Sequence, residues 1–169
     1  MKYFTRELMD RGQCGRHDWM RQSKAYRAEL RAHEPKLPQS VRTFYRKVEL
    51  HDAVLTGVVY RPDPNGANEL ELELGGYRVT FLGVRRQAGW SEALDQAWLY
   101  DELYSAEGGR FKLLVLFSET ECEIVAANVR CFSEGFQKYV VEPEPVISTQ
   151  EERKRAAKLI RDKGKRWNH

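Results

Sequence analysis

The sequence predicts an α+β fold in which N-terminal helices pack on a mostly antiparallel sheet of about six strands in meander order, followed by a C-terminal helix. Three observations predict it. Residues 1–48 repeat apolar side chains with a helical period, residues 49–147 are rich in strand-forming residues, and residues 148–169 are basic with a helix-capping pattern. The 169 residues, 41% of them apolar, suffice for a single domain with a hydrophobic core.

Three N-terminal helices are placed from caps and apolar stripes. Thr5 is a candidate N-cap for a short first helix. The second helix ends before Pro35, and its stripe at helical spacing contains Trp19, Tyr26, Leu30 and His33. We expect His33, at the end of the stripe, to be a solvated or capping histidine. The third begins at Pro38, and its buried face contains Val41, Phe44, Tyr45 and Val48.

A first strand is predicted from Asp52 to Tyr60, and a hairpin follows it. Residues 69–74 alternate glutamate with leucine, and Gly75-Gly76 supplies a two-residue turn. Folding about this turn predicts four cross-strand pairs: Leu74–Tyr77, Leu72–Val79, Leu70–Phe81 and Glu73–Arg78.

The remaining strands are less sharply marked. Ala97 to Tyr104 fits either helix or strand, and we interpret it as a strand because of its aromatic density and the following Gly108-Gly109 turn. Residues 111–117 are apolar at nearly every position, which predicts a central strand. Residues 122–130 form the predicted sixth strand, and residues 132–145 are expected to be irregular.

The charge distribution is uneven. Residues 1–48 carry 12 basic and 5 acidic residues, residues 49–148 carry 8 and 17, and residues 149–169 carry 8 and 3. The basic ends either fold back on the acidic middle, which we favour, or face an acidic partner. The C-terminal helix, capped by Thr149 and Glu152, could contact nucleic acid, but it lacks interleaved aromatic residues, so this is not favoured. Its apolar face is too small for a membrane anchor.

No cofactor or metal is expected. The three cysteines are an odd number without a CxxC pair, which argues against a disulfide framework and a zinc site, and the four histidines have no metal-binding spacing. Both glycine pairs lie in predicted hairpins rather than before a helix, so they do not form a phosphate loop. With no apolar run long enough to span a membrane and no secretory signal in Met1 to Asp10, a cytoplasmic location is predicted.

The candidate catalytic residues are His51, Asp52, Glu102 and Tyr104. Alternation along the first strand places Asp52 on the apolar face, where a carboxylate needs a partner. Asp52 either braces the turn that enters the strand or acts as a general base or substrate-binding carboxylate, with Glu102 and Tyr104 as companions. Adjacent His51 and Asp52 can pair with each other only if the backbone turns there.

Several short motifs together resemble an uncharacterised family of small bacterial cytoplasmic proteins. They are the start MKYFTREL, the helix FYRKV running into LHDA, and WLYDEL before FKLLVLF. The resemblance implies helices followed by a sheet and no particular reaction, cofactor or partner.

Three functions are therefore open. A non-enzymatic binding or protein-interaction domain, one that could neutralise another protein, is preferred because no convergent catalytic set accompanies the patterned charge. The alternatives are a small hydrolase-like enzyme using Asp52, His51 and Glu102, and a nucleic-acid binder using the basic ends.

Overall fold

The computed structural model describes residues 1–10 and 16–142. Three helices come first: α1 (Arg6–Asp10), α2 (Arg16–His33) and α3 (Gln39–Lys47). The strands of the described residues follow: β1 (Leu55–Arg61), β2 (Glu69–Leu74), β3 (Tyr77–Leu82), β4 (Arg86–Ala88), β5 (Trp98–Ala106), β6 (Arg110–Phe117), β7 (Glu121–Ala126), β8 (Asn128–Ser133) and β9 (Lys138–Val141). The α+β class is confirmed. The predicted C-terminal helix lies outside the described residues.

The helix boundaries follow from local chemistry. The Thr5 hydroxyl accepts the Leu8 N–H at 3.3 Å, which confirms the predicted N-cap of α1. The helix α2 ends at His33, and Pro35 lies in the 3₁₀ turn Glu34–Lys36 that follows. Pro38 occupies the N-cap position of α3, where its missing N–H costs no helical hydrogen bond.

The strands form two antiparallel sheets rather than one meander, so the predicted single sheet of about six strands is wrong. One sheet has the order β1-β2-β3-β8-β9 and the other the order β4-β7-β6-β5. The predicted β2–β3 hairpin is confirmed in register, since the structure contains all four expected pairs: Leu74–Tyr77, Leu72–Val79, Leu70–Phe81 and Glu73–Arg78.

The two sheets are joined where two neighbouring segments of the chain pass from one sheet to the other. The chain passes from β3 in the first sheet to β4 in the second at Gly83, and it returns from β7 to β8 at Ala127. Backbone hydrogen bonds continue through the corner, from Ala127 to Leu82 and from Arg85 to Val125. Gly83 has φ +64°, and a Cβ there would lie 3.0 Å from the Cβ of Ala127, so glycine permits this close approach.

Two predictions in this region are therefore corrected. Residues 122–130 are not one strand, because the ladder changes sheet at Ala127 and divides them between β7 and β8. Residues 132–145 are not irregular throughout either. The strand β8 continues to Ser133, and β9 pairs with it beyond a turn in which Gln137 has φ +50°.

The inner faces of the two sheets share one hydrophobic cluster. Phe81 of β3 contacts Phe111 of β6 across the sheets, with ring centroids 6.1 Å apart, and Trp90 packs against Phe81. Val41 and Phe44 of α3 join this cluster, and both are buried. The helix α2 instead packs along β5, the edge strand of the four-stranded sheet.

The outer face of the five-stranded sheet carries the alternating glutamates of β2. Arginines from the same sheet balance them in three ion pairs: Arg61–Glu71 at 3.0 Å, Arg78–Glu73 at 3.7 Å and Arg130–Glu69 at 3.6 Å. Each of the three glutamates of β2 is thus paired with an arginine of another strand of the same sheet.

Candidate binding cleft

A cavity of about 530 Å³ opens between α2, α3 with the chain that follows it, and the first half of β5. Arg27 lies on its α2 side, Arg46 and Lys47 at the end of α3, and His51 in the following turn. Asp101 lies on its β5 side. The volume falls within the range of roughly 300–1,000 Å³ typical of small-molecule sites.

A bulge in β5 orients Asp101. In a regular strand, residues three apart point to opposite faces. The pairing of β5 with β6 shifts between Trp98 and Tyr100, so the alternation is reset. As a result, the Trp98 indole Nε1–H donates to Oδ2 of Asp101 at 3.1 Å. The bulge thus places a buried aromatic donor and a carboxylate on the same side of the strand.

A chain of hydrogen bonds connects Asp101 to both helices. The Leu103 N–H donates to the Tyr26 hydroxyl at 2.7 Å, the hydroxyls of Tyr26 and Tyr45 are 2.8 Å apart, and the Tyr45 hydroxyl donates to Oδ1 of Asp101 at 2.5 Å. Because the single hydroxyl proton of Tyr45 goes to Asp101, Tyr26 must be the donor to Tyr45. The chain is therefore fully directional and ends on the carboxylate.

Burial controls the ionisation of these groups. Although part of the Asp101 residue reaches solvent, its carboxylate is enclosed, and this burial raises the pKa of Asp101 against the opposing effect of its hydrogen bonds. Burial also raises the pKa of Tyr26 and of Tyr45, and the neighbouring Asp101 charge adds to both shifts. Both tyrosines are therefore neutral hydroxyls at physiological pH.

A smaller cavity, of about 210 Å³, shares the residues Arg27, Leu30, Tyr45 and Arg46 with the larger one. Its remaining lining combines arginines, one carboxylate and leucines: Arg31, Arg42, Glu34, Leu37 and Leu103. We call the two cavities together the cleft.

Comparison with known proteins identifies the family but not the reaction. A family model described as "Protein of unknown function (DUF4085)" matches residues 6–127, which is more than half of the chain. The chain belongs to this family. No curated protein and no solved structure matches the chain. The resemblance inferred from short motifs is thereby confirmed as membership of an uncharacterised family, whereas a bacterial source and a cytoplasmic location stay predictions.

The DUF4085 match spans α1 to β7 and so includes every residue named for the cleft, while β8 and β9 lie beyond it. Among the described residues, no cluster of three or more histidine, cysteine, aspartate or glutamate side chains could hold a metal ion. In the same part of the chain, no helix combines the length and the apolar character needed to cross a membrane.

His51 lines the larger cavity, and the neighbouring Asp52 does not lie as alternation predicts. The backbone turns here, since Asp52 has φ +65° and the Ala53 N–H donates to the Leu50 carbonyl. The turn lets Nδ1 of His51 approach Oδ2 of Asp52 to 3.0 Å. The Asp52 side chain is 76% exposed, so its expected position on the apolar face is wrong. Its N–H, bonded to the Trp98 carbonyl, helps to hold the turn against β5.

Glu102 and Tyr104 also lie together, on a different side of β5. Glu102 is fully buried, and its carboxylate accepts the backbone N–H groups of Lys2, Tyr3 and Phe4 as well as the Tyr104 hydroxyl. Burial raises the pKa of Tyr104, and its hydrogen bond to Glu102 adds to the shift. Glu102 thus anchors the N-terminal segment. In the described part of the chain, no hydrogen bond links this pair to His51 and Asp52.

His33 was expected to be solvated or capping. It occupies the N-cap position of the 3₁₀ turn without a side-chain capping bond, and its half-buried ring helps to cover the free edge of β5. Its Nδ1 accepts the Ser105 N–H at 3.3 Å and lies 2.7 Å from the Ser105 hydroxyl. Two turns earlier on α2, Tyr26 accepts the Leu103 N–H in the same way. Side chains of α2 therefore replace a partner strand along this edge.

Sequence reasoning found Tyr26 and Tyr45 as core positions but missed Asp101. A signal was present, because a buried tyrosine hydroxyl needs a hydrogen-bond partner and two such residues were predicted on the apolar faces of two helices. The partner could not be chosen between Asp101 and Glu102 without knowledge of the β5 bulge, which decides which of them faces the helices.

Proposed function

We propose that this DUF4085 protein is a non-enzymatic binding domain whose ligand occupies the cleft. The observation that carries the proposal is the larger cavity, whose volume is typical of small-molecule sites. Its floor consists of Tyr26, Tyr45, Trp98 and Asp101, and the polar groups of these residues are already hydrogen-bonded to one another. Such a floor gives shape and rigidity, which binding requires, and it offers no ready nucleophile.

The hydrogen bonds of the floor support a binding role. The hydroxyl protons of Tyr26 and Tyr45 and the indole proton of Trp98 all have acceptors within the floor. A tyrosine acts as a general base only as tyrosinate, and the raised pKa of both tyrosines opposes that form at neutral pH.

The rim supplies charge for recognition. Arg27, Arg46 and Lys47 are exposed at the edge of the larger cavity, where long basic side chains can meet a ligand with little loss of hydration. Interaction with a protein partner that inserts a side chain here is compatible with the proposal. Nucleic-acid binding through both basic ends stays a separate prediction, tested by the salt dependence of retention on heparin.

One observation favours an enzyme as the second candidate. Asp101, a buried carboxyl group with a raised pKa, and His51 both line the larger cavity. A perturbed carboxyl group and an imidazole in one cleft are a common acid–base arrangement. The carboxylate of Glu102, by contrast, is occupied by the N-terminal amides. In this candidate, Asp101 replaces Asp52 and Glu102 as the partner of His51.

The experiment is a ligand screen by NMR together with a broad hydrolase screen, applied to the full chain. Ser23→Phe fills the larger cavity from a half-buried position on α2, and Tyr60→Phe, on an exposed strand position, is the control. The proposal expects cleft ligands, and those that occupy the larger cavity should lose binding in Ser23→Phe but keep it in Tyr60→Phe. Turnover that disappears in Asp101→Asn, or a screen without any cleft ligand, would overturn it.

A further inference from the structure

The smaller cavity of the cleft contains four arginines that face one carboxylate. Arg27 and Arg31 are four residues apart on α2, and Arg42 and Arg46 are four apart on α3. Like charges at this spacing repel each other along a helix, and here two such pairs meet across one cavity. Glu34 is the only carboxylate among its lining residues, and it pairs with Arg46.

The other three arginines have no such partner. Within residues 1–10 and 16–142, no carboxylate lies at ion-pair distance from Arg27, Arg31 or Arg42. The Nε atom of Arg42 is also the one buried side-chain nitrogen or oxygen in that part of the chain without a hydrogen-bond partner. A buried donor left unpaired costs free energy, and an acceptor group of a bound ligand would satisfy it.

Apart from Tyr45, the rest of the lining is apolar. Leu37 and Leu103 are buried, Leu30 packs against the same hydrophobic cluster, and all three line the smaller cavity. A ligand that fits must therefore combine negative charge with a hydrocarbon portion. Inorganic anions would satisfy the arginines and leave the leucine surface exposed to water.

We propose that the smaller cavity binds an organic anion, whose carboxylate or phosphate head contacts Arg31 and Arg42 and whose apolar body packs on the leucines. Guanidinium groups match both heads because they can donate two parallel N–H bonds to either. A longer body can extend past Leu30 and Tyr45, which line both cavities. This inference rests on the proposed binding function and specifies its ligand class.

The test is a calorimetric titration of the full chain with hexyl phosphate, hexanoate, inorganic phosphate and the neutral hexanol. We expect one or both organic anions to bind at least about tenfold more tightly than hexanol and than inorganic phosphate. Whichever of hexyl phosphate and hexanoate binds more tightly shows whether the cavity prefers a phosphate or a carboxylate head. Affinity should fall as ionic strength rises, because the interaction is between charges.

The decisive variant is Arg42→Met, with Arg85→Met as its matched control, since Arg85 is exposed and lies outside both cavities. Arg42→Met should weaken organic-anion binding by at least about tenfold and leave the Tm unchanged or raised, because it removes an unpaired buried donor. Arg85→Met should bind like the natural protein. A purely structural Arg42 would instead lower the Tm and spare binding.

Several results would overturn this inference. Hexanol binding as tightly as the anions would do so, as would unchanged anion affinity in Arg42→Met. If the broader screen yields only neutral or cationic ligands that Ser23→Phe abolishes, the ligand class is wrong and the binding function stands. If no compound binds the cleft, the binding function itself fails.

Discussion

The Tyr45 hydroxyl lies 2.5 Å from Oδ1 of Asp101 and 2.8 Å from the Tyr26 hydroxyl, so one side chain of α3 connects α2 to the edge strand β5. The helical and β portions of the chain are thus joined by a directional polar contact as well as by apolar packing. Because these groups are largely desolvated, losing any one of them leaves a buried partner unpaired.

Tyr45→Phe should destabilise the protein by about 1–3 kcal/mol, since it leaves the Tyr26 hydroxyl and the Asp101 carboxylate without their shared partner. Urea unfolding measures the change. Tyr60→Phe is the matched control, because Tyr60 is 42% exposed. Equal unfolding free energies for the two variants would show that the hydroxyl chain does not stabilise the fold.

Stability should depend on pH through Asp101. Burial raises the pKa of Asp101 above its ordinary value near 3.8, so the folded chain holds this proton more tightly than the unfolded chain. The linked stability is therefore fully present below about pH 3.8 and is lost as the pH rises through the folded pKa. Asp101→Asn cannot titrate, so the free energy of unfolding of the natural protein minus that of the variant should decrease over this window.

Denaturant titrations at several pH values measure this difference. Its absolute size also reflects the amide group that Asp101→Asn introduces, because the amide nitrogen cannot accept the Trp98 indole proton. The direction of the trend is therefore the test, and a difference that is flat or rises with pH would contradict it.

The β2–β3 hairpin was predictable because its information is local. Strict alternation and Gly75-Gly76 together define both the turn and the pairing of Glu73 with Arg78. The division into two sheets was not predictable, because the corner at Gly83 and Ala127 forms between segments more than 40 residues apart. Ala127 lies in a continuous strand-like pattern that contains no turn signal.

The position of the Asp52 side chain was mispredicted for a related reason. Alternation is a reliable guide only within a regular strand, and both polar positions lie next to an irregularity. The turn with positive φ at Asp52 moves its side chain to solvent. The bulge after Trp98 reverses which of the side chains of Asp101 and Glu102 faces the tyrosines of the helices. Both irregularities lie where β5 contacts the chain entering β1, since the Asp52 N–H donates to the Trp98 carbonyl.

Glu102→Gln should cost about 3 kcal/mol of stability, because the new amide group would direct hydrogens toward N–H donors that now have an acceptor. Hydrogen exchange should become faster at the amides of Lys2, Tyr3 and Phe4. Glu107→Gln, at an exposed turn, is the control. Unchanged exchange at the three amides would refute the anchoring role of Glu102.

Cys122 and Cys131 should resist alkylation in the folded protein. Both thiols are buried, and desolvation raises the pKa of each to about 12, so very little thiolate exists at pH 8. Treatment with iodoacetamide followed by peptide mass spectrometry should find both unmodified, whereas the same treatment in urea should modify both. Rapid labelling of either residue under native conditions would contradict the buried placement.

Gly89→Ala should be much more damaging than Gly108→Ala. Both glycines have positive φ, +81° and +68°, so alanine is strained at each by about 1–2 kcal/mol. A Cβ at Gly89 would additionally lie 2.5 Å from the Glu121 carbonyl oxygen, whereas nothing lies within 4 Å at Gly108. We expect at least about 3 kcal/mol of lost stability for Gly89→Ala in urea unfolding. Equal losses in the two variants would show that β7 can move away from this turn without cost.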